Sequence, residues 1–443
     1  MAWSPVHPRW TDDDREILRL AVPALGALVA EPRYILADTA VVGRLGTPQL
    51  GGLAIASSLL LIAHSVFSFL AYGTTAAVAR LRGAGDERQA AHQAVQSLWL
   101  AGLIGVVVAV VVAPLSEPLI RLLGGEGEVA EHALVYLRIS LPGLPAMMLT
   151  LAGVGYLRGL QDTARPFYVA LGTAVLNLVL ELVLILGFDQ GIGASALSTV
   201  VALWSAAAIY LVWIRRAVAE HGVSMRPDPR AIGRLAGAGT DLVIRTVALR
   251  GSLTVTLAVA ARIGDDDLAA HQIAFEIWNL LALTLDAVAI AAQAMVGRAL
   301  GEGLAARART IGRRVARWGV GLGVVLGVIV VATSPVVPHL FTEDEAVLGL
   351  VAFLLLHVGV TQPANGLAFA LDGVLFGAGD LRYLAIAMTA ASAVLVVGAL
   401  IVLAVGAGIG WLWFCLELWI VVRVVTLVAR FRTDAWLRTG AVV

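Results

Sequence analysis

From Ala91 to Ala113 the chain reads AHQAVQSLWLAGLIGVVVAVVVA, without one Asp, Glu, Lys or Arg. About 20 such residues cross the hydrocarbon of a bilayer as a helix. Among open segments only a helix leaves no backbone N–H or C=O unpaired in lipid. The remainder of the 443 residues repeats the pattern. The chain is 59% hydrophobic and 14% charged, whereas a soluble protein carries about 25% charged residues. Twelve apolar runs can be read, at 17–42, 52–79, 91–113, 132–157, 166–187, 192–214, 236–261, 268–297, 310–332, 346–376, 383–405 and 409–429. Turn residues or charges separate them, as in Gly43-Arg44-Leu45-Gly46, Gly124-Gly125-Glu126-Gly127 and Gly264-Asp265-Asp266-Asp267. The expected fold is an all-α integral membrane protein of twelve transmembrane helices.

The charges sum to zero, 31 basic against 31 acidic. That balance gives no global pull toward nucleic acid. Every basic residue is arginine, and a chain without lysine has no P-loop and forms no Schiff base on a lysine. Cys415 is alone, which excludes an internal disulfide and a multi-Cys metal site. No HExxH or GxSxG occurs and the eight histidines are scattered, so no enzyme is expected. Met1 to Arg15 is polar and lacks the basic-then-apolar build of a cleaved signal peptide. With twelve spans both termini share a side, and arginine selects it. One set of loops and ends holds 22 arginines, among them Arg80, Arg88, Arg234, Arg298 and Arg307, against Arg44, Arg121 and Arg262 on the other. The arginine-rich side, with both termini, is expected to be cytoplasmic.

A shift of 218 positions aligns two halves. Arg44, Gly46 and Leu50 fall on Arg262, Gly264 and Leu268. Arg80, Gly83 and Gly85 fall on Arg298, Gly301 and Gly303, and Pro145, Gly155, Gly159 and Asp162 on Pro363, Gly373, Gly377 and Asp380. Six spans per half is an even number, so the halves run in parallel, as two pseudo-symmetric six-helix bundles around a central cavity. The expected division is an N-lobe over 1–214, a cytoplasmic linker over 215–235 and a C-lobe over 236–443.

A charge at mid-bilayer costs roughly 2.5–3.5 kcal/mol on insertion scales and stays only where it faces protein or water. The candidates are Glu31, Arg33, Asp38, Arg138, Glu181, Asp241, Arg245, Arg250, Glu276, Asp286, Asp372 and Glu417. Asp38 is either functional or a helix-end carboxylate near Arg44. Asn177 and Glu181 are four apart, hence on one helix face. An amide oxygen beside a carboxylate can hold a proton or a hard cation such as Na⁺. At the 218 shift Asp38, Asn177 and Glu181 meet Thr256, Leu395 and Ala399, so this site belongs to the first half alone. The second half has its own polar set on the eighth span, His271, Gln272, Glu276, Asn279 and Asp286. Arg245 and Arg250 can pair with Asp241, Asp286 or Asp372, and the sequence does not choose. Tyr34, Phe67, Tyr72 and Trp278, with Tyr136 and Phe275, can wall a cavity for a flat cationic ligand. Trp411, Trp413 and Trp419 suit an interfacial belt.

At these residues the chain resembles the multidrug and toxic compound extrusion (MATE) family, and within it the DNA-damage-inducible F (DinF) branch. The resemblance rests on Leu36–Leu50, Gly155–Thr163, Asn177–Glu181, Ala269–Ile273, Ala289–Arg298 and Leu371–Asp380, and covers nearly the whole chain in order. It implies two six-helix lobes and efflux of organic cations or other toxic compounds against inward H⁺ or Na⁺. The family's N-lobe cation site is matched by Asp38, Asn177, Glu181 and Thr199, with Tyr136 beside it. Glu181 stands where the family has Asp, which lengthens the arm and puts Na⁺ geometry in doubt. The branch's acidic residue on helix 8 is matched by Asp286.

The reading is therefore a secondary active antiporter of a bacterial inner membrane. It needs no cofactor beyond its coupling ion and takes small, cationic, amphipathic substrates. A monomer is expected, embedded in the bilayer. The alternatives are a lipid-linked precursor flippase of the same superfamily, which would favour a cationic cavity, and a membrane enzyme acting on lipid.

Overall fold

The computed structural model describes residues 10–188 and 190–441, with no side chain described from 31 to 35. No strand occurs among the described residues. The helices form twelve rods. In chain order they are α1 (Asp12–Val42), α2 (Thr47–Gly83, interrupted at Ser68), α3 (Glu87–Leu122) and α4 (Gly127–Ser140 with Gly143–Gly159). Next come α5 (Ala164–Gly187, π-helical over Leu182–Gly187), α6 (Ile192–Glu220), α7 (Pro229–Ile263) and α8 (Asp265–Gly301). The last four are α9 (Ala305–Thr333), α10 (Glu345–Gly377), α11 (Leu381–Ala404) and α12 (Ile409–Arg432). Ten rods are long and apolar enough to cross a membrane alone, and the two pieces of α4, bent by 54°, make an eleventh. With α1 the rods number twelve among the described residues, one on each apolar run, with ends up to nine residues beyond it.

The rods overrun those runs mainly at the arginine-rich end. There α6 continues to Glu220 and α7 starts at Pro229, so the non-helical link is only residues 221–228. Asp228 starts α7 by accepting from the Arg230 N–H at 2.9 Å, as an N-cap does. Adding 218 to the ends of α2 gives the ends of α8, and the same holds for α4 and α10. One difference has a local cause. Pro142 sits at the bend of α4, where it cannot donate to the helical ladder. Its counterpart is Val360, and α10 runs through.

The buried side chains form three clusters. One lies at the arginine-rich end and draws on both bundles, from Leu20, Val78 and Leu157 to Leu300, Leu371 and Leu427. The other two lie toward the acidic loops, one in each bundle: Val42, Leu53 and Leu137 in the first, Leu354, Leu395 and Leu412 in the second. The bundles are thus joined at the arginine-rich end and separate at the other. Lipid tails are as apolar as leucine, so close backbone packing and polar contacts hold such a joint. A Cβ at Gly83 would lie 2.1 Å from the Arg298 carbonyl oxygen, and one at Gly301 2.0 Å from that of Arg80. This pair, related by the 218 shift, lets α2 cross α8 backbone to backbone. Arg80 staples the joint, donating to the Ala378 carbonyl at 2.6 Å and the Gly440 carbonyl at 3.2 Å. Gln293 donates to the Tyr72 carbonyl at 2.6 Å.

The start of α1 closes the same end. Asp13 pairs with Arg307 of α9 at 2.5 Å. Asp14 accepts from Arg314 Nε at 2.6 Å and from the Trp318 indole at 2.8 Å. The Arg314 guanidinium holds the Asp14 carboxyl well below the usual carboxylate range. A carboxyl whose folded value lies below its unfolded value stabilises fully above the ordinary range, and loses that contribution as pH falls through the depressed value. The latch is therefore expected to survive from neutral pH past the ordinary Asp pKa of about 4. Asp14→Asn should loosen it at every pH. Spin-label distances across the arginine-rich end at pH 7 and at about pH 3, below the ordinary Asp value, check both statements.

Candidate functional site

Three helices of the first bundle converge on one buried carboxylate. Asp38 lies one turn before the end of α1 and is 5% exposed. The Ser195 hydroxyl of α6 donates to it at 2.6 Å. No ion pair joins Asp38 to Arg44 among the described residues, so the helix-end reading does not hold. Glu181, where α5 turns from α to π winding, reaches both Asp38 and Ser195. The single Ser195 proton is already given to Asp38, and neither Glu181 oxygen accepts a hydrogen bond from a described donor. Asn177, one turn earlier, donates to the Thr199 hydroxyl at 3.1 Å, and its own Oδ1 likewise accepts nothing. Tyr136 of α4 lies against Thr199, Ser195 and Asp38. The structure thus brings Asp38, Asn177, Glu181, Thr199 and Tyr136 together.

The group borders a cavity of about 480 Å³ in the first bundle. Asp38, Tyr136, Asn177 and Thr199 are on its wall, with Ser57 and His64 of α2 facing them, and the remaining lining is mostly apolar. Glu181 stands behind Asp38, 1% exposed. The size lies within the range of small-molecule pockets, roughly 300–1,000 Å³.

The second-half polar set does not form one site. At a rise of about 1.5 Å per residue, the 15 positions from His271 to Asp286 cover roughly 22 Å of α8. His271 is buried in the second bundle, its ring 5.8 Å from Phe275 and 5.7 Å from Trp413. Glu276 is exposed, and Asn279 is half-buried. Asp286 alone faces the joint between bundles, where the Tyr72 hydroxyl donates to it at 3.5 Å. The aromatic set is dispersed too. Tyr72 stacks on Phe376 at 5.0 Å, Phe67 packs on Phe69, and Trp278 lies against Phe275 and Trp419. None of Phe67, Tyr72 and Trp278 lines the first-bundle cavity, and Tyr34 lies outside the described side chains. Of the tryptophan belt only Trp411 is exposed, while Trp413 and Trp419 are core.

Asp372 of α10 settles the arginine question. It accepts from Arg245 at 2.7 Å and from Arg423 at 2.8 Å, all three groups nearly buried. Removing one member of a buried ion pair typically costs about 3–5 kcal/mol, since a charge is left uncompensated. Asp372→Asn should accordingly lower the melting temperature measured in detergent. Arg423→Met with Asp372→Leu should recover part of the loss. Sequence reasoning missed Ser195, one small polar residue among many on α6. It also counted Arg80 as a loop charge, although that residue is 2% exposed.

The protein-family model described as MatE matches residues 23–183 and 243–420, one block in each half of the repeat. This chain belongs to the MatE family. It is therefore a membrane transporter and not an enzyme. The chloroplastic Protein DETOXIFICATION 44 of Arabidopsis thaliana is 31% identical, over 95% of this chain and 83% of its own length. The DNA damage-inducible protein F of Escherichia coli is 27% identical over 83% of this chain and 81% of its own, which makes this MatE chain a DinF homologue. A multidrug resistance MATE family transporter solved in an outward-facing conformation shares the fold at 22% identity. Its TM-score is 0.87, covering 96% of this chain and 97% of that one.

Proposed function

We propose that this MatE transporter exports small cationic amphiphiles in exchange for an inward cation, and that Asp38 and Glu181 are the carriers of that cation. The observation behind the reading is the adjacency of the two carboxyls with no arginine bonded to either among the described residues. Two neighbouring carboxylates in a medium of low dielectric cannot both stay charged. Either one proton is shared or a cation binds. The unsatisfied oxygens of Glu181 and Asn177, with Asp38 and the Thr199 hydroxyl, are a hard-oxygen set that suits H⁺ and is chemically acceptable to Na⁺.

The cycle follows from charge. The deprotonated pair makes the cavity wall anionic and favours a cationic guest. Cation binding from the outer side neutralises the wall, which releases the guest and lets α1, α5 and α6 repack. The lobes 1–214 and 236–443 would rock about the joint at the arginine-rich end, which we assign to the cytoplasm of a bacterial inner membrane together with both termini. A flippase for anionic lipid-linked precursors would need the opposite polarity at the cavity wall. Liposomes carrying the purified protein test the reading. An imposed proton gradient should drive uptake of a cationic dye, and a sodium gradient at equal pH should drive it less. Uptake under neither gradient would refute the exchange.

A further inference from the structure

A second, larger cavity of about 860 Å³ opens at the arginine-rich end, between α2 and α3 of the first bundle and α7 and the start of α11 of the second. Its charged lining is net basic, with Arg80, Arg88 and Arg234 against Asp86 and Asp228. Arg88 and Arg234 line its mouth, exposed and without an ion pair among the described residues. His92 sits between them and the floor, its Nε2 3.2 Å from the Gln96 amide. On the wall are two buried groups with an unspent donor. The Arg80 Nε–H and the Ser97 hydroxyl have no hydrogen-bond partner, at 2% and 1% exposure. The acidic lining residues are already committed. Asp86 caps α3 at the Gln89 N–H, and Asp228 caps α7 at Arg230 and Ala231. Each cap offsets the positive end of its own helix, so the anion-facing groups are the arginines and the wall donors.

Phe69, Leu70, Leu100 and Leu235 give the wall an apolar strip, beside the polar Thr74, Gln89, Gln93 and Ser224. The link between bundles forms one side and is pinned over α3. Trp99 donates to the Met225 carbonyl at 2.8 Å, and Gln96 accepts from the Asp228 N–H at 2.8 Å. Basic pockets between transmembrane helices at such an end suit anionic headgroups. We propose that this cavity binds the phosphate of an anionic amphiphile. Arg88 and Arg234 take its charge at the mouth, Ser97 and Arg80 donate from the wall, and its apolar part lies along Phe69 and Leu70. Because the walls come from both bundles, an occupant binds the joined arrangement in preference to the parted one and so favours it.

The experiment is native mass spectrometry of the purified transporter, titrated with phosphatidylglycerol or phosphatidylcholine. Glycerol 3-phosphate and inorganic phosphate are added in separate arms. The expected result is at least tenfold tighter binding of phosphatidylglycerol, reduced to the phosphatidylcholine level in Arg88→Gln with Arg234→Gln. The same preference should be unchanged in the control Arg432→Gln, which removes an arginine outside the cavity. A milder loss in Ser97→Ala supports the wall donor independently of net charge. Binding of the soluble phosphates that the double variant removes, without a lipid preference, assigns the same anion chemistry to a soluble source. No preference in any arm, or equal loss in Arg432→Gln, overturns the proposal. None of these positions belongs to the Asp38 and Glu181 site, so that reading stands or falls separately.

Discussion

Asp38→Asn and Glu181→Gln are each expected to reduce gradient-driven dye uptake to the level of empty vesicles, while the protein still folds. Both substitutions keep volume and hydrogen-bonding capacity near native. What they remove is the exchangeable charge. Asp38 is the carboxylate on the cavity wall, held by Ser195, and Glu181 backs it without a donor of its own. With either neutralised permanently, the pair no longer alternates between a guest-binding and a cation-binding state. A transporter bound to exchange then stops at one half of its cycle. Glu181→Asp should retain part of the activity, since it keeps the charge and shortens the arm. Ser195→Ala should act more weakly than either carboxyl variant, because it removes a positioning hydrogen bond and leaves both acids. Equilibrium dye binding separates the cases. The neutral variants should bind a cationic dye less tightly, whereas Ser195→Ala should bind it nearly as wild type does.

The second large effect is steric. A leucine at Gly301 would place its Cβ 2.0 Å from the Arg80 carbonyl oxygen, and one at Gly83 would meet the Arg298 carbonyl at 2.1 Å. Real Cβ atoms do not approach so closely, so α2 and α8 must part. Overpacking a tight contact typically costs about 1–3 kcal/mol. That is about one to two orders of magnitude in an equilibrium between joined and parted bundles, at about 1.4 kcal/mol per tenfold. The joined form should lose its dominance, and transport should fall about tenfold or more. The crossing lies at one end of the bundles, away from the Asp38 site, so dye binding in the first-bundle cavity should persist. Labels at Glu87 and Ala306, which begin α3 and α9, report the separation once Cys415 is replaced by Ala. A longer, broader distance in Gly301→Leu is expected. A wild-type distance with wild-type transport would show that the crossing does not control the cycle.

How much of this was legible in the chain depends on the kind of signal. The rods were, because an apolar run has one structural outcome in lipid. The repeat was, because glycines at α2, α4, α8 and α10 mark close backbone approaches, and such contacts tolerate little else. Asp38, Asn177 and Glu181 stood out as polar groups where insertion is costly. The partners were less legible. The Asp372–Arg423 pair bridges α10 and α12, 51 positions apart, and spacing along one helix carries no information about it. His271, Glu276, Asn279 and Asp286 share a helix, but a long rod separates what a short window groups. The surroundings of Tyr72 and Trp278 were less legible for a related reason. An aromatic ring inside an apolar run does not reveal whether it meets lipid, core or cavity. Arg80 illustrates the limit of counting loop charges, since a helix-end arginine can turn inward and bond carbonyls of the other bundle.

Proton release on substrate binding tests the role of Asp38 and Glu181 most directly. Purified protein in weakly buffered detergent solution, at a pH where the pair holds its proton, is titrated with a cationic dye in the presence of a pH indicator. Acidification that saturates with dye binding is expected, about one proton per site, and it should disappear in Asp38→Asn and Glu181→Gln. Saturable dye binding by the wild type with no proton release, and with none of the bound dye displaced by Na⁺, would contradict that role.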